Sequence, residues 1–133
     1  MSRHLMLIGL LAFGAAGLVR GDEQAMRNVP RISIDEVKAL MAKKQVILVD
    51  VRDPQSFAEG HMPGALNVPF DDIPKYVDAW KKDARVLITY CACTNETTAA
   101  RAVVDVNAFG ITNAKALLGG WHEWIRRGER VER

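Results

Sequence analysis

The chain has 133 residues, of which 49% are apolar and 26% charged, a composition typical of one globular domain rather than two. Its 18 basic and 16 acidic residues differ only through Arg3 and Arg20, so the chain beyond residue 21 is neutral. Because a neutral chain of mixed charge has no electrostatic footprint for nucleic acid, we expect no nucleic-acid partner.

The N-terminal segment has the pattern of an export signal. A basic start is followed by fifteen uncharged residues at 5–19, and small residues lie at plausible cleavage positions. The apolar run falls short of the ~20 residues that span a bilayer, although an uncleaved run would tether the domain to a membrane. We therefore expect an exported protein, periplasmic or extracellular. Three segments are predicted: a signal peptide over 1–21, a linker over 22–30 and a folded domain over 31–130.

The folded domain begins with two clear signals. Ser33 and Glu36 have the spacing of a capping box, which predicts a helix that ends near Lys44. The run 46–51 is continuous, apolar and β-branched, as in a strand buried on both faces of a parallel sheet. A second run of this kind lies at 85–90.

Shorter elements alternate around these two strands. Since strands that alternate with helices form a parallel sheet covered by helices, the pattern predicts an α/β domain. In chain order the shorter elements are a helix from Asp53-Pro54 to Gly60, a strand at 65–68, a helical segment within 71–83, a helix capped by Thr97 or Thr98 and ending near Phe109, a strand at 114–118 and a helix at 121–127.

Cys91 follows the second buried strand directly, and a loop and a helix follow Cys91. Parallel sheets bind ligands just outside the carboxyl ends of their strands. The N–H groups at a helix N-terminus favour an anion and lower the pKa of a thiol, and the thiolate is the nucleophile. This position therefore favours a nucleophilic cysteine, the alternative being a buried structural thiol.

Three stretches stand out together: residues 49–53 with 57–69, residues 86–91 with the loop and Ala-Ala helix that follow, and residues 117–121 with Trp124. In their order and spacing these stretches resemble the rhodanese family. The resemblance implies a single rhodanese domain with a central parallel sheet flanked by helices on both faces.

The resemblance also implies a sulfurtransferase without a metal or another cofactor. Cys91 would take a sulfane sulfur from thiosulfate or a thiol persulfide, hold it as a persulfide and pass it to a thiol or cyanide. The backbone N–H groups of the loop would cradle that persulfide. By resemblance the loop residues are Ala92, Cys93, Thr94, Asn95, Glu96 and Thr97.

The loop departs from the common pattern of the family, in which a glycine and a basic residue stand near Thr94 and Glu96. Glycine would supply flexibility that Thr94 lacks. A negative Glu96 on an exposed loop would weaken binding of thiosulfate by ~1 kcal/mol or less, which favours a persulfide donor. Two roles are open for Cys93. It is either a small side chain with only a packing role, or a second thiol that attacks the Cys91 persulfide or forms a reversible disulfide with Cys91.

Asp50 and Arg52 are candidate supporting residues. They either shape the rim of the site or have a structural role, in which Asp50 accepts hydrogen bonds from loop amides and Arg52 holds the end of the strand in place. Three other functions are alternatives to sulfur transfer. A phosphatase of the related fold needs an arginine six residues after its cysteine, where this chain has Thr97 or Ala99. The other two are a noncatalytic binding module and a thiol redox protein that uses both cysteines.

Overall fold

The structure is a computed structural model that describes residues 15–133. Its centre is a sheet of five strands in the order β1-β5-β4-β2-β3, and every neighbouring pair is parallel. The fold prediction of an α/β domain with a central parallel sheet is therefore confirmed. The strands are β1 (Arg31–Ile32), β2 (Val46–Asp50), β3 (Leu66–Asn67), β4 (Val86–Tyr90) and β5 (Ala114–Leu117).

Helices connect the strands and cover the sheet. Two short 3-10 turns, Phe70–Lys75 and Thr94–Glu96, precede the fourth and fifth helices. The α-helices are α1 (Ala15–Asn28), α2 (Ile34–Ala42), α3 (Pro54–Glu59), α4 (Val77–Lys81), α5 (Thr97–Ala108) and α6 (Gly120–Arg126).

Local sequence determines where α2 and α3 begin. The Ser33 hydroxyl accepts a hydrogen bond from the Glu36 N–H, and the Glu36 carboxylate accepts one from the Ser33 N–H, which completes the predicted capping box. Asp53 caps α3 by accepting from the Ser56 N–H, with Pro54 in the first turn.

The start of α5 differs from the prediction. The helix begins at Thr97 without a side-chain cap, and Glu96 before it adopts a left-handed conformation with φ of 53°. The Thr97 hydroxyl donates instead to the Thr94 carbonyl. The predicted caps were therefore wrong, because the loop turns sharply before the helix rather than running into it in extended conformation.

The core lies on both faces of the sheet because alternate residues of each strand point in opposite directions. Val49 and Leu87 pack with the buried face of α5 on one side. Leu48 and Ile88 pack on the other side, in the cluster that contains Trp124 of α6. Both long strands are thus buried on both faces, as their sequences predicted.

Residues 1–14, which hold most of the predicted signal peptide, lie outside the described residues. Within residues 15–133 no helix combines the length and the apolar character needed to cross a bilayer. The segment 22–30, predicted as a linker, is helical through Asn28, and α1 lies against α5. Met26 and Val29, three residues apart, pack on the core, and this apolar pair was too short a signal for the sequence to predict a helix.

Candidate active site

Cys91 lies at the carboxyl end of β4 and is 3% exposed. The first turn of α6 fixes its backbone, because the Trp121 N–H donates a 2.9 Å hydrogen bond to the Cys91 carbonyl. Gly120 has a left-handed φ of 55°, and a Cβ at this position would lie 2.5 Å from the Cys91 oxygen. A glycine is therefore required here for two reasons, its conformation and its close approach to the nucleophile candidate.

Two thiols share the site. Cys93 Sγ lies 2.6 Å from Cys91 Sγ and 3.1 Å from the hydroxyl oxygen of Thr98, which stands in the first turn of α5. Both cysteines are free, and Cys93 is half-buried whereas Cys91 is buried. The loop therefore brings the predicted pair into direct contact, with Thr98 as a polar neighbour that sequence reasoning did not assign to the site.

The two thiols differ in acidity. Burial raises the pKa of Cys91 to about 11, and its hydrogen bond to Cys93 adds to the increase. Burial also raises the pKa of Cys93, but hydrogen bonds from Cys91 and Thr98 outweigh burial and place this pKa below its ordinary value. The prediction of a lowered pKa was thus wrong for Cys91, because burial outweighs the N–H groups at the start of the helix. Cys93 therefore ionises first. In the neutral pair the Cys93 S–H donates to Cys91 Sγ, and once Cys93 is ionised its thiolate accepts from the Cys91 S–H.

Backbone N–H groups nevertheless face Cys91. Those of Cys93 and Ala99 favour the charged form of the Cys91 sulfur and so act to lower its pKa. Their effect on the thiol is smaller than that of burial. The same donors would act on any negative charge carried by a sulfur bonded to Cys91.

The loop after the cysteines contains two successive left-handed residues, Asn95 and Glu96, with φ of 55° and 53°. Asparagine tolerates this conformation, whereas glutamate adopts it rarely. The unusual backbone therefore lies at Asn95 and Glu96 rather than at Thr94, where the sequence indicated a loss of flexibility.

Glu96 is 8% exposed and not on the exposed rim that the sequence suggested. Its carboxylate accepts a 3.3 Å hydrogen bond from the Gly119 N–H and lies 4.0 Å from Arg31 Nε. Arg31 also donates to the Asn95 carbonyl at 3.4 Å. The prediction that solvent screens the Glu96 charge was therefore wrong. Glu96 instead ties the loop to the turn between β5 and α6.

Asp50 and Arg52 form a buried, forked ion pair at the carboxyl end of β2. Arg52 Nε lies 2.9 Å from one Asp50 carboxylate oxygen and Arg52 Nη2 lies 2.6 Å from the other. The guanidinium also donates to the Gly60 carbonyl and stacks on Trp121 with its carbon 4.4 Å from a ring centroid. Across residues 15–133, no hydrogen bond joins this pair to either cysteine. The pair therefore supports the residue that holds the Cys91 carbonyl.

His122 is a second residue that sequence reasoning left out of the site. Its Nε2 lies 3.1 Å from the carbonyl oxygen of Ala92, the residue between the two cysteines. Both His122 and Arg31 reach the loop from distant parts of the chain, so no local signal marks them. In the described part of the chain, no three His, Cys, Asp or Glu side chains cluster as metal ligands would.

Comparisons with known proteins agree with this architecture. The family model of the rhodanese-like domain matches residues 33–127. A thiosulfate:glutathione sulfurtransferase of Saccharomyces cerevisiae is 30% identical, with 81% of this chain and 88% of the relative covered. A thiosulfate sulfurtransferase, GlpE, of Tolumonas auensis is 28% identical, with 74% of this chain and 91% of the relative covered.

A solved structure gives the same fold. The human single-domain sulfurtransferase TSTD1 superposes with a TM-score of 0.61 at 23% identity, covering 75% of this chain and 98% of that chain. Together with the family match over most of the folded residues, the parallel sheet and the cysteine loop after β4 place this chain in the rhodanese-like domain family.

Proposed function

We propose that this protein is a sulfurtransferase in which Cys91 carries the transferred sulfur as a persulfide. The observation that carries the proposal is the position of the Cys91 thiol at the end of β4, facing backbone N–H groups of Cys93 and Ala99. A persulfide is a stronger acid than the thiol from which it forms, so it is an anion at neutral pH, and those donors stabilise anions. The named sulfurtransferases among the relatives support the same reaction class.

The first half-reaction uses both thiols. The Cys93 thiolate accepts the Cys91 proton across their 2.6 Å contact, and Cys91 Sγ attacks the outer sulfur of the donor. A new S–S bond forms at Cys91 while the bond inside the donor breaks. The electron pair of that bond leaves with sulfite when the donor is thiosulfate, or with a thiolate when the donor is a thiol persulfide. Transfer of the proton to Cys93 as the new S–S bond forms avoids a free Cys91 thiolate, which burial disfavours by raising the pKa of Cys91.

The second half-reaction regenerates the thiols. An acceptor thiolate or cyanide attacks the outer sulfur of the Cys91 persulfide and leaves with it. The relatives' names include thiosulfate as donor and glutathione as acceptor, and we infer the same classes for this chain, a sulfane sulfur donor and a small thiol. Because Arg31 Nε lies 4.0 Å from the Glu96 carboxylate, the guanidinium offsets the negative charge of Glu96, which therefore does not exclude thiosulfate.

The test is the rate of sulfite release from thiosulfate by the full chain, in the presence of a small thiol as acceptor. We expect catalysed release by the wild type and only the uncatalysed rate with Cys91→Ser, because serine cannot form a persulfide. Release of thiol from a small persulfide is measured in parallel to compare the donors. Equal rates for the wild type and Cys91→Ser would overturn the proposal, and absence of turnover with both donors would favour a binding module.

A further inference from the structure

Cys93 lies closer to the Cys91 sulfur than acid–base chemistry alone requires. The two sulfur atoms are 2.6 Å apart, and only Ala92 separates the two residues in the chain. The Thr98 hydroxyl, 3.1 Å from Cys93 Sγ, holds that side chain against Cys91 rather than toward solvent. Cys93 is therefore positioned as a nucleophile toward whatever Cys91 carries.

The distance indicates which sulfur of a Cys91 persulfide Cys93 would attack. Attack at sulfur proceeds along the line of the bond that breaks, through three sulfurs in a row. For attack on the outer sulfur, Cys91 Sγ and Cys93 Sγ would stand about 4 Å apart, twice the length of an S–S bond. The observed contact of 2.6 Å instead suits attack on Cys91 Sγ itself, with the outer sulfur leaving on the opposite side.

We propose that Cys93 resolves the Cys91 persulfide by forming a Cys91–Cys93 disulfide and releasing the transferred sulfur as sulfide. This inference rests on the proposed function, since it begins from the persulfide. The Cys93 sulfur bonds to Cys91 Sγ, and the bond between Cys91 Sγ and the outer sulfur breaks. The outer sulfur leaves with the electron pair and takes up the proton that Cys93 held, as HS⁻. The sulfane sulfur is reduced and the two cysteine sulfurs are oxidised, so no external oxidant is needed.

The disulfide is returned to two thiols by a small thiol. One thiolate attacks the disulfide to give a mixed disulfide, and a second releases the protein and leaves as the oxidised small-molecule disulfide. A bond across a single intervening residue is strained and therefore easily reduced. The acceptor thiol of this protein then serves as a reductant, and the product is sulfide rather than a new persulfide.

The test uses the full reduced chain, without oxygen and without any free thiol, with thiosulfate as the only added reagent. Sulfide is measured together with the intact mass of the chain once the reaction is complete. The wild type is expected to release sulfide and to lose two hydrogens. Cys93→Ser and Cys93→Ala are expected to gain one sulfur and keep it, whatever their rate of loading, because neither forms the disulfide. Cys91→Ser is expected to do neither.

The outcomes separate the two proposals. A wild-type chain that gains one sulfur and holds it, without sulfide, would overturn the role of Cys93 and leave the sulfurtransferase proposal intact. Sulfide release that persists in both Cys93 variants would also overturn the role of Cys93. A wild-type chain of unchanged mass that releases no sulfide, and that also fails to gain one sulfur from a small thiol persulfide, would overturn the persulfide itself and, with it, both proposals.

Discussion

Two neighbouring strands, β2 and β4, are nearly alike up to their last residue and different immediately beyond it. Each has five residues, the same sequence of burial and parallel pairing in register, so their carboxyl ends lie side by side. At the end of β2, Asp50 is neutralised by Arg52 within a buried fork. At the end of β4, two thiols face each other in a loop with left-handed backbone.

This difference shows that the groups that hold the site in place and the groups that react lie at the ends of different strands. Thiols are weak hydrogen-bonding groups and cannot hold a loop in place by themselves. Their positions depend on stronger groups nearby, namely the Asp50–Arg52 pair, whose guanidinium packs on Trp121, and the Trp121 N–H, which binds the Cys91 carbonyl. The end of β2 thus supports the end of β4 through α6.

The largest effect on stability is expected from removing the charge partner at the end of β2. Arg52→Ala leaves the Asp50 carboxylate, which has no exposed surface, without its guanidinium. Breaking a buried pair in this way costs about 3–5 kcal/mol of the free energy of unfolding. Urea unfolding followed by circular dichroism measures the loss, which is expected as a lower midpoint at constant slope.

The chain provides a matched control for this prediction. Asp83 and Arg85 make the same fork across the same spacing, with Arg85 Nε 3.0 Å from one carboxylate oxygen and Nη2 2.7 Å from the other. This pair lies on the surface, where half of the Arg85 side chain is exposed. Arg85→Ala should therefore change stability far less than Arg52→Ala. Equal losses in the two variants would contradict the role of burial at Asp50.

The sequence predicted the parts of this comparison that depend on local patterns. The runs at 46–51 and 85–90 are continuous and apolar, so both buried strands and the place of Cys91 after the second follow from short-range periodicity. The caps at Ser33 and Asp53 follow from spacing within one turn. The fold and the candidate nucleophile could be predicted from the sequence because each signal lies within a few residues.

The sequence did not predict what depends on distant contacts or on the degree of burial. Arg31 and His122 reach the loop from opposite ends of the domain, and no motif links them to it. The pKa of Cys91 was predicted in the wrong direction because the helix terminus is visible in the sequence whereas the depth of burial is not. Glu96 was placed in solvent for the same reason, although the fold buries it.

A smaller loss of stability, coupled to a loss of activity, is expected at the contact that joins the two regions. Gly120→Ala places a methyl group 2.5 Å from the Cys91 oxygen at a left-handed φ of 55°. We expect a loss of roughly 2–3 kcal/mol, about 1–2 kcal/mol of it from the backbone conformation. Displacement of Cys91 should also slow sulfite release from thiosulfate at least tenfold.

Gly128→Ala is the control for the backbone conformation alone. Gly128 also has a left-handed φ, of 68°, but no atom lies within 4 Å of a Cβ at that position. This variant should lose about 1–2 kcal/mol of stability and keep its rate of sulfite release. If Gly120→Ala retained wild-type activity, the turn between β5 and α6 would not position Cys91 as inferred.

The smallest effect concerns acidity within the end of β4 alone. Because the pKa of Cys93 lies below that of an ordinary thiol, its thiolate persists to lower pH, and iodoacetamide should alkylate Cys93 at a pH where Cys91 is unreactive. Cys91→Ala removes the S–H donor, so the pH profile of Cys93 alkylation should shift upward. Thr98→Val removes the other donor and should shift it in the same direction. A Cys93 profile unchanged in both variants would contradict the inference that hydrogen bonds from Cys91 and Thr98 lower the pKa of this thiol.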